Sequence, residues 1–220
     1  MDGPVGRPVR RPGDGWVRCR CGSLHWGLNG AAGLLVWRRV RDAADGVEVL
    51  LQLRAGWTHE GGTWGVPGGA VGDGESPAEA ALRECEEETG LPARALVLGP
   101  EHTEAHPDWS YTTFTAQAPS DGRWDALAPT DGESTALRWV RLSPTADGRW
   151  ARPEPGGVGA SDAGAGAPLL APLDAAWDEL ASLLPAPARE SAARAPRGAA
   201  DREERGRTGP VRRRPSRAGG

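Results

Sequence analysis

Residues 68–91 read GGAVGDGESPAEAALRECEEETGL, a glycine-rich loop that runs directly into an acidic helix. Ser76 is a preferred N-cap, and Pro77 fits the first helical position, where its missing N–H costs nothing. Glu79 follows Ser76 at the spacing of a capping box. Gly90 is suited to end a helix in the left-handed conformation. The pattern therefore predicts a helix that begins after Ser76 and ends at Gly90.

Three glutamates concentrate negative charge on one side of this predicted helix. At about 100° per residue, Glu84, Glu87 and Glu88 lie on neighbouring turns and repel one another. The opposite, apolar face is predicted to pack on a sheet and consists of Ala78, Leu82, Cys85 and Thr89, with Ala81 at its edge. A helix of this kind is suited to receive a cation. Hard oxygen ligands with room for water and phosphate favour Mg²⁺, with Mn²⁺ as a substitute.

The fixed residues of the stretch resemble the Nudix box, G-x5-E-x7-R-E-U-x-E-E-x-G-U, where U is a bulky apolar residue. Starting from Gly69, every fixed position matches, and Cys85 takes one U position as a small buried hydrophobe. The chain is thereby similar to the MutT-like Nudix hydrolase superfamily, in particular to members from GC-rich, actinobacterial-type genomes. The resemblance implies an α/β Nudix fold, a mixed β-sheet sandwiched between helices, with disordered termini.

The resemblance also implies roles for the matched residues. Glu84, Glu87 and Glu88 would bind Mg²⁺ together with the carbonyl of Gly68. A further acid in the loop before the last strand often assists the metal in similar proteins, and Glu133 fits that position, although it is equally compatible with a plain loop residue. The remaining matched residues are Arg83, which would orient Glu87 or Glu88, Glu75, which would hold the loop-to-helix turn, Gly69, which would let the backbone approach phosphates, and Gly90. The general base stays open between Glu84 and a loop acid.

Several aromatic and polar residues are candidates for contact with a substrate. Trp57 lies in a glycine-rich segment where an exposed ring could stack on a base, although rim packing is the alternative. Tyr111 lies on a strand that faces the substrate in similar proteins. His106 and Asp108 would line the mouth of the cleft, with a plain surface loop as the alternative.

Apolar and alternating segments predict the strands around the helix. Residues 47–54 alternate, so that Val47, Val49, Leu51 and Leu53 face one side. The other predicted strands span residues 30–37, the short segment 64–69, 95–101, 110–118 and 135–142, with a polar loop at 102–109. Residues 169–184 form an amphipathic pattern that predicts a terminal helix docked on the sheet.

Residues 16–29 contain Cys19, Cys21 and His25, a set of side chains that suggests zinc. Zinc takes four ligands, usually with two or more residues between paired cysteines, and the sequence offers no fourth ligand nearby. We therefore interpret the segment as a lead-in arm whose Trp16 and Trp26 pack on the body of the domain.

Composition sets the outer limits of the domain. We expect a disordered arm at 1–15, a Nudix domain at 16–184 with a flexible insert at about 143–168, and a disordered Arg-rich tail at 185–220. The net charge is −4, yet residues 186–220 hold ten arginines and four acids. An odd cysteine count and the lack of a secretory or membrane-spanning segment predict a cytoplasmic location.

The predicted reaction is Mg²⁺-dependent hydrolysis of a nucleoside diphosphate linked to another moiety. The first expectation is a nucleoside triphosphate pyrophosphohydrolase, with oxidised nucleotides among its substrates, and the alternative is a pyrophosphatase of ADP-ribose or another nucleotide sugar. A non-catalytic Nudix domain that senses a nucleotide is a second alternative. The Arg-rich tail has no aromatic residues between its arginines, so specific nucleic-acid binding is not expected. No membrane partner is expected either. The resemblance leaves a homodimer open.

Overall fold

The fold is known from a computed structural model that describes residues 11–40, 46–156, 164 and 166–187. Most of the predicted disordered termini, residues 1–10 and 188–220, lies outside the described residues. Residues 157–163 and 165 of the predicted flexible insert lie outside them as well. In the described part of the chain, no helix is long and apolar enough to cross a membrane.

Two separate sheets account for the strands of the described residues. Strands β1 (Trp16–Arg18) and β2 (Leu24–Trp26) form a small antiparallel hairpin. The larger sheet contains β3 (Ala31–Arg39), β4 (Val47–Arg54), β5 (Trp64–Gly65), β6 (Gly68–Ala70), β7 (Val97–Ala105), β8 (Ser110–Gln117) and β9 (Ser134–Arg141). Strand β3 pairs with β8 in parallel, whereas its pairings with β4 and β6 are antiparallel. The predicted mixed sheet is therefore confirmed.

The sheet is covered by helices on both faces because its central strands are apolar on both sides. On β3, Leu35 belongs to one core cluster, whereas Leu34 and Val36 belong to the other. The first cluster contains the alternating residues of β4 (Val47, Val49, Leu51 and Leu53) and the terminal helices α2 (Ala171–Ala175) and α3 (Trp177–Ser182). The second cluster contains Ala80, Ala81 and Cys85 of helix α1 (Pro77–Thr89). The predicted helix–sheet–helix layering is confirmed. The predicted single terminal helix over 169–184 is instead two short helices, α2 and α3, which are interrupted at Ala176 and pack on the sheet.

Helix α1 has the ends that its sequence predicts. Ser76 accepts from the backbone N–H of Glu79, the Glu79 side chain accepts in return from the Ser76 backbone, and Gly90 closes the helix at φ 70°. The predicted apolar face is confirmed, since Ala81, Cys85 and Thr89 are buried and Ala78 and Leu82 pack against the second cluster. The buried surface is wider than predicted, however, because it also includes Glu88, which was assigned to the acidic side. One carboxylate therefore lies in the protein interior.

The predicted flexible insert at 143–168 is wrong for residues 143–156. A short bridge joins Pro144 to Trp150, and the Trp150 side chain is only 4% exposed in the first core cluster. The indole N–H of Trp150 donates to the carbonyl of Pro185 at 2.8 Å, and the Trp177 indole donates to the carbonyl of Trp150 at 3.2 Å. One large aromatic residue thus anchors a segment whose composition resembles a linker.

Two smaller boundaries also differ from the predictions. Residues 11–15 of the predicted arm are held in place, since Leu28 donates its N–H to the carbonyl of Gly13 and Gly27 donates to that of Gly15. Strand β7 continues to Ala105, which pairs with Ser110, so the predicted polar loop at 102–109 shrinks to a tight turn. Backbone hydrogen bonds to other segments of the chain decide both limits, and local composition does not predict these bonds.

Candidate active site

The glycine turn, the bend at Pro67 that leads into Gly68 and Gly69 of strand β6, lies against helix α1. The N–H of Gly68 donates to Oε2 of Glu88 at 2.8 Å. A Cβ atom on Gly69 would lie 2.6 Å from the Cδ atom of Glu84. A Cβ atom on Gly68 would lie 2.5 Å from the carbonyl oxygen of Ala32, and both distances are shorter than real contacts allow. Backbone packing therefore requires glycine at Gly68, whereas a side chain at Gly69 would displace the Glu84 carboxylate.

Glu88 is a buried carboxylate with uncharged hydrogen-bond partners. It is 3% exposed, and its Oε1 accepts from the side-chain amide of Gln52 at 3.1 Å. Gln52 in turn accepts from the hydroxyl of Ser134 at 3.0 Å. Burial raises the pKa of Glu88 to about 8, and these hydrogen bonds offset only part of the desolvation. A buried carboxylate of this kind is suited to a cation that would replace its proton.

The sequence analysis did not identify Gln52 and Ser134. The available signal was Gln52 itself, an amide inside the apolar strand β4 at a position whose side chain shares a face with Leu50. Its partner could not be inferred, because Glu88 lies 36 residues further along the chain.

Arg83 forms ion pairs with three glutamates of the box. Its guanidinium donates to both carboxylate oxygens of Glu75 at 2.8 Å each, to Glu84 at 2.6 Å and to Glu87 at 3.4 Å. Glu75 also accepts from the N–H of Gly72, which holds the loop-to-helix turn, and its pKa is lowered chiefly by Arg83. Arg83 thus contacts Glu87, and its role in orienting that carboxylate stays a prediction, whereas Glu88 is held by Gly68 and Gln52.

The three metal-binding candidates differ in their surroundings. The carboxyl of Glu84 lies against Gly69 and its pKa is raised by burial, although Arg83 acts in the opposite direction. Glu87 is more exposed and also pairs with Arg11, which the sequence analysis left unassigned. Among the described residues, the three carboxylates do not converge within 4.8 Å of one another. Arg83 donates to both Glu84 and Glu87, so these two carboxylates are paired with an arginine in this structure.

The predicted fourth acid, Glu133, lies in the loop just before β9. Its carbonyl accepts from the N–H of Ala55 at 2.8 Å, and the pKa of its carboxyl is raised by partial desolvation and then by Asp131. Arg11 also acts on this carboxyl. Glu133 thus lies within electrostatic reach of the arginine that pairs with Glu87, and its part in metal binding stays a prediction.

The substrate candidates fall into two groups. Trp57 is 58% exposed, so its ring is available for stacking, whereas Trp64 is fully buried in the core. Tyr111 lies beneath the glycine turn, because a Cβ atom on Gly68 would be 2.9 Å from its hydroxyl oxygen. Burial raises its pKa. Contact of Trp57 and Tyr111 with a substrate stays a prediction.

His106 and Asp108 face the β1–β2 hairpin. The ring of His106 lies 4.4 Å from that of His25. The backbone N–H of Arg20 donates to the Asp108 carboxylate at 2.8 Å, and the Arg20 guanidinium donates to the same carboxylate. Trp16 and Trp26 pack edge-to-face on each other at 5.3 Å and stay 46% and 36% exposed. The lead-in arm is therefore a hairpin with its own aromatic contacts.

Comparison with known proteins identifies one family. A NUDIX domain model matches residues 30–155. A nucleoside triphosphate pyrophosphatase/Nudix hydrolase fusion protein of Bifidobacterium longum is 46% identical over 135 residues, 61% of this chain and 28% of the relative. A Mycobacterium tuberculosis protein named as an 8-oxo-dGTP diphosphatase is 43% identical over 149 residues, 63% of this chain and 64% of the relative.

The crystal structure of the Nudix hydrolase RenU from M. smegmatis matches with a TM-score of 0.51 and 41% identity. The match covers 58% of this chain and 80% of RenU. The chain spans less than two thirds of the length of both curated relatives, so their names describe larger proteins.

Proposed function

Since the chain belongs to the Nudix family, we propose that it is a Mg²⁺-dependent hydrolase that cleaves the pyrophosphate linkage of a nucleoside diphosphate derivative. One observation carries the proposal: the turn at Gly68–Gly69 contacts the carboxylates of both Glu84 and Glu88. Arg83 holds Glu75, Glu84 and Glu87 around the same turn. The acidic residues of the box thus surround one piece of backbone.

The donor set fits a divalent cation of the magnesium type. Carboxylates and a backbone carbonyl are hard oxygen ligands, and Glu88 is a buried acid that needs a positive partner to ionise at neutral pH. Glu84, Glu87, Glu88 and the Gly68 carbonyl would hold the ion, with Glu133 as an assisting acid. When bound, Mg²⁺ neutralises the pyrophosphate and lowers the pKa of a water molecule towards neutrality.

The remaining steps belong to side chains of this chain. We assign proton removal from the attacking water to Glu84, because its carboxyl lies against the backbone of Gly69, where the phosphates would approach. Arg83 holds the Glu84 carboxylate in place at 2.6 Å. Glu75 fixes the loop that would approach the phosphates. Trp57 would stack on the base, and Tyr111 would support the Gly68 turn from below.

The substrate class we favour is a nucleoside triphosphate, including oxidised forms, which would yield a monophosphate and pyrophosphate. The name of the M. tuberculosis relative, an 8-oxo-dGTP diphosphatase, is the reason for this choice. ADP-ribose or another nucleotide sugar is the alternative, because the box addresses the diphosphate that all of these compounds share. We place the domain at residues 16–184 and propose a reducing compartment such as the cytoplasm, since Cys19, Cys21 and Cys85 are free thiols.

A substrate panel tests the proposal. Purified protein with Mg²⁺ is given canonical and oxidised nucleoside triphosphates, ADP-ribose, NADH and dinucleoside polyphosphates, and nucleotide and phosphate products are measured separately. We expect pyrophosphate release from a nucleoside triphosphate. The rate should fall by a factor of about 100 or more in Glu87→Gln, because the metal loses a negatively charged ligand. The matched control is Glu86→Gln on the exposed side of α1. Unchanged turnover in Glu87→Gln contradicts the catalytic assignment, and no turnover of any compound favours a sensing domain.

A further inference from the structure

The loop between β1 and β2 gathers three ligating side chains that the Nudix box does not include. Cys19, Cys21 and His25 place their ligating atoms within 4.8 Å of one another, and they are the one set of three His, Cys, Asp or Glu side chains to do so in the described ranges. The Sγ atom of Cys21 lies 3.2 Å from Nε2 of His25. From these contacts we propose that Cys19, Cys21 and His25 bind a zinc ion.

The distances require only a small adjustment of the hairpin. With Zn–S of about 2.3 Å and Zn–N of about 2.0 Å, tetrahedral ligand atoms lie about 3.5–3.8 Å apart. The Cys21–His25 separation of 3.2 Å would therefore open by a few tenths of an ångström, and the other separations, all within 4.8 Å, would close by about 1 Å or less on metal binding. Cys21 is exposed, so water can take the fourth position, as in sites that have two cysteines, one histidine and an open position.

The fold holds Cys21 and His25 in defined surroundings. A hydrogen bond from the backbone N–H of Ser23 lowers the pKa of the Cys21 thiol. Burial, followed by the nearby His106, lowers the pKa of His25. The ring of His25 is stacked on Trp109 at 4.3 Å with an interplanar angle of 9°, so its orientation is fixed before any metal arrives.

The backbone of the loop is already folded around the cysteines. The N–H of Cys19 donates to the carbonyl of Ser23, and the N–H of Gly22 donates to that of Cys19, both at 3.0 Å. Cys19 also interacts with Asp108, and its thiol proton would pass to solvent when the metal binds. A two-stranded hairpin of three-residue strands is marginally stable by itself, so a metal at its tip would fasten it.

Cobalt substitution tests this site separately from the glutamate site. Full-length protein is reduced, stripped with a chelator, and titrated with Co²⁺ in excess Mg²⁺, which occupies oxygen ligands and leaves thiolates free. We expect a thiolate-to-cobalt charge-transfer band in the near ultraviolet that saturates at one equivalent and disappears when Zn²⁺ is added. No such band in the wild-type protein overturns the proposal.

Variants of matched thiol count identify the ligands. Cys21→Ser carries the main test, because this exposed position tolerates the change without unfolding, as circular dichroism will verify. We expect Cys21→Ser and His25→Ala to weaken Co²⁺ binding by about 100-fold or more, given that even residues behind the ligands cost 10–100-fold. Cys85→Ala removes the core thiol of α1 and is expected to keep the band. A band of wild-type strength in Cys21→Ser, or its loss in Cys85→Ala, refutes the assignment.

Discussion

Lowering the pH from 8 to 6 is expected to weaken Mg²⁺ binding at the glutamate site by about 50-fold, because Glu88 must lose a proton to act as a ligand. Burial raises the pKa of Glu88 to about 8. The ionised fraction then falls from about one half at pH 8 to about one per cent at pH 6. A carboxyl with the ordinary pKa of 4.5 would change by only about 3% over the same range.

Isothermal titration calorimetry measures this coupling directly. Mg²⁺ is titrated at several pH values in buffers of different ionisation enthalpy, and about one proton or more should be released per ion at pH 7. Glu88→Gln should bind weakly and lose the pH slope that Glu88 contributes. Glu86→Gln, on the exposed side of the same helix, should keep it. The reasoning would be refuted if the affinity for Mg²⁺ did not depend on pH and no proton were released on binding.

The same raised pKa affects the metal-free fold in the opposite sense. Because the folded state holds the Glu88 proton more tightly than the unfolded chain, stability falls as pH rises from about 4.5 to about 8. Above about pH 8 the Glu88 carboxyl is ionised in both the folded and the unfolded state, so it no longer changes the stability. Mg²⁺ should remove much of this loss, since the cation stabilises the charged carboxylate that burial disfavours.

Two further substitutions test packing around the site and in the core. Gly69→Ala should lower turnover about tenfold or more, because its Cβ would lie 2.6 Å from Cδ of Glu84, whereas Gly56→Ala has open space and is the control for the kinetic assay. Turnover equal in the two variants would contradict the close packing. Trp150→Ala should destabilise the fold by about 3–5 kcal/mol in urea unfolding, while the exposed Trp57→Ala stays within about 0.5 kcal/mol. Equal urea midpoints for the two variants would support the original prediction that residues 143–168 are a flexible insert.

Short-range patterns were readable from the sequence. The caps at Ser76 and Gly90 depend on residues a few positions apart, and the structure has both. Strand β4 runs from Val47 to Arg54 as its alternation predicts. The Nudix box lies within 23 residues of chain, so the resemblance that implies the family, the fold class and the glutamates to examine first can be read from one local stretch.

Long-range contacts decided the rest. Glu88 was assigned to an outer acidic face, and its burial depends on Gln52 and Gly68, which approach from other strands. Trp150 is an anchor only because Trp177 and Pro185 return to meet it.

The hairpin shows the same division. The sequence supplied Cys19, Cys21 and His25 as ligand types, but their spacing argued against zinc. Folding of the loop brought their ligating atoms together, and Trp109, more than 80 residues away, fixed the histidine ring. Sequence spacing determines which groups share a helix face or a strand face. The environment that sets a carboxyl pKa or assembles a ligand set comes from segments distant in the chain, and only tertiary packing brings these together.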